Sequence, residues 1–243
     1  MDPITIADAL LAARRGGPAV SPAPPLLDLA AAYAVQDRVA AALGGIAGWK
    51  GGPADPAAAR ASPIFHGLVV HSPAHFDGRD FRIIGVEGEI AFVMARGFVP
   101  GSPTADADIL DAVASAHVAI EVCDTRIEPW READALWKLA DCQANRGLVL
   151  GDAVAGWRTR DLSAQHAAIT ADGVEIGGRT GPGPTGDPRA VLCAVVHHLV
   201  TQRNGIAAGA AVTTGSWTGL PLVQPGARVV ATFDGLGSAE ARF

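Results

Sequence analysis

Apolar residues recur every three to four positions over residues 4–15 and again over residues 26–43, where Gly44-Gly45 closes the run. That spacing lines one face of a helix, so both segments are predicted helices. A glycine just past the last periodic residue is an ordinary stop signal. Residues 16–25 between them form a Gly/Pro-rich connection. Beyond residue 45 the pattern changes. Residues 46–52, 80–96, 117–124 and 148–154 are apolar runs bounded by turn-formers, the mark of strands. A loop through Ser62-Pro63 follows the first of them. A helix is predicted over 105–115. Asp172-Gly173, between short runs at 167–170 and 174–176, signals a hairpin. Asp187-Pro188 supplies an N-cap and a proline in the first turn for a helix reaching about residue 203, which Asn204-Gly205 ends. Strands at 211–213 and 229–233 and a Gly-rich turn at 234–237 fill the tail.

The order is helices first, then mostly strands with a few helices inserted. No regular strand–helix alternation appears, which excludes a doubly wound parallel sheet. The Gly-x-Gly strings do not follow a strand and open a helix, so they are no dinucleotide fingerprint. The expectation is an α+β chain: a mixed β fold with peripheral helices, divided into a helical part over residues 1–45 and a β-rich part over 46–243.

Composition narrows the partners. Of 243 residues 49% are apolar, enough for a substantial core. The formal net charge is −6 with no basic run, which argues against nucleic acid or an anionic membrane surface. No stretch approaches the ~18 consecutive apolar residues of a membrane span. The N-terminus lacks the basic start and apolar run of a signal peptide. Cys123, Cys142 and Cys193 are an odd set without CxxC spacing. They read as reduced thiols, and the location expected is cytoplasmic.

Candidate chemistry concentrates in two strands. Glu87 and Glu89, two apart in an apolar run, project from the same face. Glu121 lies in a second such run, with Cys123 on its face as a small buried thiol. Like charges in a buried setting are costly unless a cation sits among them. Three carboxylates with open positions suit Mg²⁺ or Mn²⁺, and no histidine pair at ligand spacing competes for zinc. An edge strand with an acidic outer face carries the same pattern. Lys50, alone among apolar neighbours before Gly51-Gly52, is either a buried lysine with a lowered pKa, suited to moving protons, or a surface lysine beside a turn. Thr214-Gly215-Ser216-Trp217-Thr218-Gly219 is either an anion-seating loop or a polar turn. Asp124 and Arg126 read as a structural ion pair, and His197-His198 as ordinary helix residues.

Together these segments resemble the 2-keto-4-pentenoate hydratase and 2-oxo-3-enedioate decarboxylase family of the fumarylacetoacetate hydrolase superfamily. The resemblance runs through Ala32-Tyr33-Ala34-Val35-Gln36, Gly48-Trp49-Lys50-Gly51-Gly52, Val86-Glu87-Gly88-Glu89-Ile90 and Glu121-Val122-Cys123-Asp124-Thr125-Arg126. Gly186-Asp187-Pro188, Thr214-Gly215-Ser216 and the stretch from Leu236 to Phe243 continue the series in order. It implies the superfamily's mixed β-sandwich roll, usually as a homo-oligomer. It implies Mg²⁺ or Mn²⁺ on Glu87, Glu89 and Glu121, gripping the head of a small-molecule 2-oxo acid. Lys50 would move protons, and Ser216 and Thr218 would seat the substrate carboxylate. The activity implied is hydration of 2-hydroxy-2,4-dienoates in aromatic-compound catabolism. The alternatives are 2-oxo-3-enedioate decarboxylation, C–C hydrolysis of acylpyruvates, or a non-catalytic subunit that binds a 2-oxo acid.

Two segments depart from the family pattern. Where members carry an acid after a proline, this chain reads Ser62-Pro63-Ile64-Phe65-His66-Gly67, leaving His66 as the substitute or as a turn residue without a role. The run Ala140-Asp141-Cys142-Gln143-Ala144-Asn145-Arg146-Gly147 is also altered. There Asn145 and Arg146 are the expected substrate contacts, with Arg146 either reading a second carboxylate or pointing to solvent.

Overall fold

The computed structural model describes residues 2–22, 28–55 and 57–243. The end of the Gly/Pro connection and the expected start of the second helix, residues 23–27, lie outside the described residues. The helices are α1 (Pro3–Arg14), α2 (Leu29–Ala42), α3 (Asp106–Asp111), α4 (Ala135–Ala140) and α5 (Pro188–Gln202). The strands are β1 (Ile46–Gly52), β2 (Arg60–Phe65), β3 (Val69–His71), β4 (Ala74–His75), β5 (Ile84–Met94), β6 (Val113–Cys123) and β7 (Asn145–Ala153). They continue as β8 (His166–Ala171), β9 (Val174–Thr180), β10 (Ala211–Thr213), β11 (Leu222–Val223), β12 (Arg228–Phe233) and β13 (Gly237–Arg242).

Two mixed sheets result, as expected for an α+β fold. The larger runs β2-β1-β10-β5-β6-β7-β3, with β11 also pairing β5; the smaller runs β4-β13-β12-β8-β9. One face of the larger sheet is dense with large side chains, including Val86, Ile90, Phe92, Ile120 and Val122. It packs against Ala167, Ile169, Val229, Ala231 and Phe233 of the smaller sheet and against Val191, Val195 and Leu199 of α5. The opposite face carries a small cluster drawn from both ends of the strand order: Ile64 of β2, Ala211, Ala91, Ala119, and Leu148 and Leu150 of β7. Residues from distant strands meet there because the sheet rolls around that face. The small side chains in its middle leave room for functional groups.

α1 and α2 bury Ile6, Leu10, Val35 and Val39 against Phe65, Ile127, Trp137 and Leu139. This helical cluster therefore draws residues from both sides of residue 45. Side-chain caps fix the helix starts: Asp2 accepts from Ile4 N and Thr5 N, Asp28 from Ala31 N, and Asp187 from Arg189 N.

Several boundaries move. The segment through Ser62-Pro63 is strand β2, not loop. It lies at the end of the strand order, where a proline without an N–H costs no ladder bond. The helix expected over 105–115 stops at Asp111, and β6 begins at Val113. The tail adds β13, and β5 begins four residues later than the apolar pattern suggested. The Asp172-Gly173 hairpin forms as read, with φ of 50° and 83° at its two turn residues.

Candidate metal and active site

Register builds the site. β5 and β6 run antiparallel with Glu87 directly opposite Glu121 and Glu89 opposite Ala119. Alternation places all three carboxylates on the inner, small-residue face of the roll. Glu89 and Glu121 are buried and Glu87 half-buried. β1 joins from the other side through β10, with Lys50 paired to Thr213. Its ammonium reaches across to Glu121, Nζ to Oε1 at 2.5 Å, and donates to the Gln143 carbonyl at 2.9 Å. Gly51 is required next to it, because a Cβ there would lie 2.3 Å from Val195 Cγ2 of α5.

The electrostatics follow from three acids and one ammonium sharing a dry face. Burial pushes the Glu89 carboxyl well above the usual carboxylate range, and Glu121 and Glu87 push it further. Burial likewise raises Glu87, opposed by Lys50 and assisted by Glu121. For Lys50 the sequence expectation of a lowered pKa fails. Burial does pull it down, but Glu121, Cys123 and Glu87 together overcome burial and hold the ammonium protonated.

The donor atoms that converge are those of Glu87, Glu121 and Cys123, all within 4.8 Å of one another. Cys123 Sγ lies 3.4 Å from Glu87 Oε2 and 3.6 Å from Glu121 Oε1. Glu89 stands outside that group. Its Oε2 accepts from Thr214 N at 3.0 Å and Gly215 N at 2.8 Å, and φ of +98° at Gly215 makes this loop conformation a glycine's. A divalent cation fits this arrangement. The raised Glu87 and Glu89 pKa values mark a carboxyl cluster with too little positive charge around it, and the oxygen donors are those Mg²⁺ and Mn²⁺ prefer.

The remaining expected residues divide. Ser216 lies beside Glu87, whose charged form its hydroxyl favours. Thr218 does not belong to the site. Its Oγ1 accepts from Gly88 N at 2.8 Å, and a Cβ on Gly88 would meet Thr218 and Ala231, which places it on the outer face of β5. His66 is exposed in the turn after β2, at the Ile46 end of β1, while the register pairs Lys50 with Ser62 four residues away. It cannot replace the missing acid, because the strand carries it away from the carboxylates. The Asn145 side chain is fully buried with neither amide atom partnered, while its carbonyl accepts from Arg14 and Arg126. Arg146 stacks over the Phe81 ring at 5.1 Å and lines a different cavity. Arg126 pairs with Asp141 at 2.6 Å rather than with Asp124, which instead accepts from Arg82 N and Ile83 N.

Two groups were not singled out from sequence. Gln143 orients Lys50 through its carbonyl, and its side-chain oxygen accepts from Ser62 Oγ at 2.9 Å. Its signal was the altered run 140–147. A cavity of about 190 Å³ opens beside it, lined by Ile127, Trp130, Lys138, Gln143 and Leu220. Leu220 reaches the inner face at Gly85, where an added Cβ would meet it at 2.8 Å and Cys123 Cβ at 3.2 Å. The cavity thus continues the row of carboxylates.

A family model described as fumarylacetoacetate (FAA) hydrolase C-terminal matches residues 58–243. A 2-keto-4-pentenoate hydratase of Burkholderia vietnamiensis is 30% identical over 182 residues, 73% of this chain and 69% of that protein. A 4-oxalocrotonate decarboxylase of Pseudomonas putida is 29% identical over 161 residues, covering 65% of this chain and 59% of that protein. Among solved structures, a Pseudomonas putida 4-oxalocrotonate decarboxylase complexed with magnesium and adipate superposes with a TM-score of 0.83 at 22% identity, over 99% of this chain and 97% of that one. A Pseudomonas aeruginosa fumarylpyruvate hydrolase in complex with Mn²⁺ and pyruvate gives 0.57 at 15%, over 80% of this chain and 87% of that one.

Proposed function

This chain belongs to the fumarylacetoacetate hydrolase family, and we propose that it is a metal-dependent hydratase of 2-hydroxy-2,4-dienoates, yielding 4-hydroxy-2-oxo acids. The observation that carries the reading is the Lys50–Glu121 contact at 2.5 Å, set among Glu87 and Glu89 on one inner face. The relatives named hydratase support it.

Glu87, Glu89 and Glu121 would hold Mg²⁺ or Mn²⁺. Bound there, the ion would supply Lewis-acid polarisation of a 2-oxo acid head. The other roles fall to the chain. The Thr214 and Gly215 amides fix Glu89. Lys50, kept protonated by Glu121, holds a proton at Nζ on the inner face and is the group placed to exchange it with the substrate's enol oxygen or carbon. Gln143 aims that ammonium. Ser216, beside Glu87, is placed to meet the substrate carboxylate. Ile127, Trp130 and Leu220 would exclude water from the substrate's tail. The same family reading makes the protein a cytoplasmic homo-oligomer.

The test follows loss of dienol absorbance from 2-hydroxypenta-2,4-dienoate with and without divalent metal. Metal-dependent turnover is expected, and Lys50→Met should lower kcat by about 10²-fold or more. Glu121→Gln should abolish the stabilisation by metal, about 3 kcal/mol at roughly a hundredfold excess over Kd. Turnover that survives both substitutions would sink the assignment.

A decarboxylase of 2-oxo-3-enedioates is the second reading. The absence of a carboxylate from residues 62–67 and the presence of Lys138, a cation for a distal carboxylate, at the tail cavity favour it. Mass analysis of the product separates gain of water from loss of CO₂.

A further inference from the structure

A second cavity, of about 420 Å³, shares no lining residue with the one beside Gln143. Its walls are rich in arginine: Arg14 at the end of α1, Arg79 and Arg82 ahead of β5, Arg126 after β6 and Arg146 in β7, with Arg15 beside them. Six arginines line this one cavity in a chain whose net charge is −6. Local acids offset them only in part, although Asp80 lines the same wall. Asp77 pairs with Arg79 and Asp141 with Arg126. Asp124, also in the wall, commits one oxygen to two backbone N–H groups. No ion pair among the described residues involves Arg14, Arg82 or Arg146.

Arg14 is the telling member. Its Nε is buried and has no hydrogen-bond partner, while its other contacts are the Asn145 carbonyl and the face of Phe65. A buried charged donor without an acceptor is costly, and it adds uncompensated positive charge behind the cavity wall. Burial, with Arg126 next in weight, lowers the Arg14 pKa to about 10, which is how an uncompensated guanidinium in a cationic pocket behaves. The Arg146 guanidinium carbon lies 5.1 Å from the Phe81 ring centroid, a cation–π contact that limits its freedom.

We propose that this cavity is a binding site for a small molecule bearing a dianionic phosphate group, with Arg14, Arg82 and Arg146 as its principal contacts. Guanidinium forks match phosphate oxygens bidentately, and several arginines lining one cavity favour a dianion over a single carboxylate. The volume corresponds to on the order of a dozen waters. That exceeds a bare phosphate ion and suits a phosphate monoester of sugar size. The inference stands apart from the carboxylate site and does not depend on its chemistry.

Isothermal titration of the full chain with inorganic phosphate and with ribose 5-phosphate, each against chloride at matched ionic strength, tests it. Saturable binding is expected for both, tighter for the ester, with Arg146→Gln weakening it on the order of tenfold and Arg82→Gln/Arg146→Gln removing it. Equal binding of both probes would point to free phosphate as the source and leave the anion site standing. Absence of saturation, heats matched by chloride, or unchanged affinity in the double variant would overturn the proposal. So would a double variant that alters only the sedimenting mass, because the arginines would then be a contact between copies of the chain.

Discussion

Lys50 and Glu121 meet at 2.5 Å because β10 brings β1 into register with β5 and β5 places Glu87 opposite Glu121. Within that setting Cys123 lies close to two of the carboxylates. Its Sγ lies at 3.4 and 3.6 Å from two carboxylate oxygens. Bond lengths of about 2.3 Å to sulfur and about 2.0–2.2 Å to oxygen place such donors roughly 3.5 Å apart around a tetrahedral ion. Burial pushes the Cys123 thiol well above its usual range, against the pull of Lys50. A thiophilic ion that displaced its proton would gain a sulfur ligand. Cys123→Ser is therefore expected to lower affinity for Zn²⁺ or Co²⁺ on the order of tenfold. Affinity for Mg²⁺ should change far less. Calorimetry reads both, and the sulfur-to-Co²⁺ charge-transfer band should vanish in the variant. Equal losses for Mg²⁺ and Zn²⁺ would mean the thiol only packs. Glu87, Glu89, Glu121 and Lys50 stood out in sequence because charge inside an apolar run is anomalous. The closeness of Cys123 followed only from register.

Among elements, the short connection between α4 and β7 carries strain. Cys142, Gln143 and Ala144 have φ of 53°, 50° and 62°, three consecutive non-glycine residues in the left-handed region. Each costs roughly 1–2 kcal/mol relative to an ordinary conformation. The turn aims the Gln143 carbonyl at Lys50 and frees its side chain for Ser62. Replacing Ala144 with Gly removes the Cβ penalty without touching a site contact, so unfolding free energy should rise by about 1 kcal/mol. Urea denaturation checks this, and a decrease would show that the turn is not strained. Nothing in the local sequence announces it: no glycine or proline marks residues 142–144. The same limit hid β2, where Pro63 reads as a loop signal until the strand's place at the end of the sheet is known. By contrast α5 and the β8–β9 hairpin were legible, because Asp187-Pro188 and Asp172-Gly173 are local instructions that need no tertiary context.

At the scale of the whole molecule, the N-terminal helices are tied to the β-rich part by polar contacts as well as by the apolar core. Tyr33 Oη lies 2.8 Å from His198 Nε2 of α5, and Arg203 donates to Gln36 and Asp37. The sequence separated residues 1–45 from the rest by the switch from helical to strand patterning and the Gly/Pro-rich connection, and neither can show that α2 and α5 face one another. This junction is pH-sensitive. Burial, then Arg203 and Arg60, lowers the His198 pKa to about 4, against about 6.5 for an unfolded histidine. The unfolded chain therefore takes up a proton near pH 6.5 that the folded chain refuses until about pH 4. The contribution to stability is complete above pH 6.5, falls as pH drops through the interval, and is gone below the folded pKa. Denaturation midpoints for the wild type should consequently decline between pH 7 and pH 5 more steeply than those of His198→Gln, which binds no proton there. Parallel declines in the two proteins would show that His198 titrates normally and that the contact with Tyr33 does not hold the ring neutral.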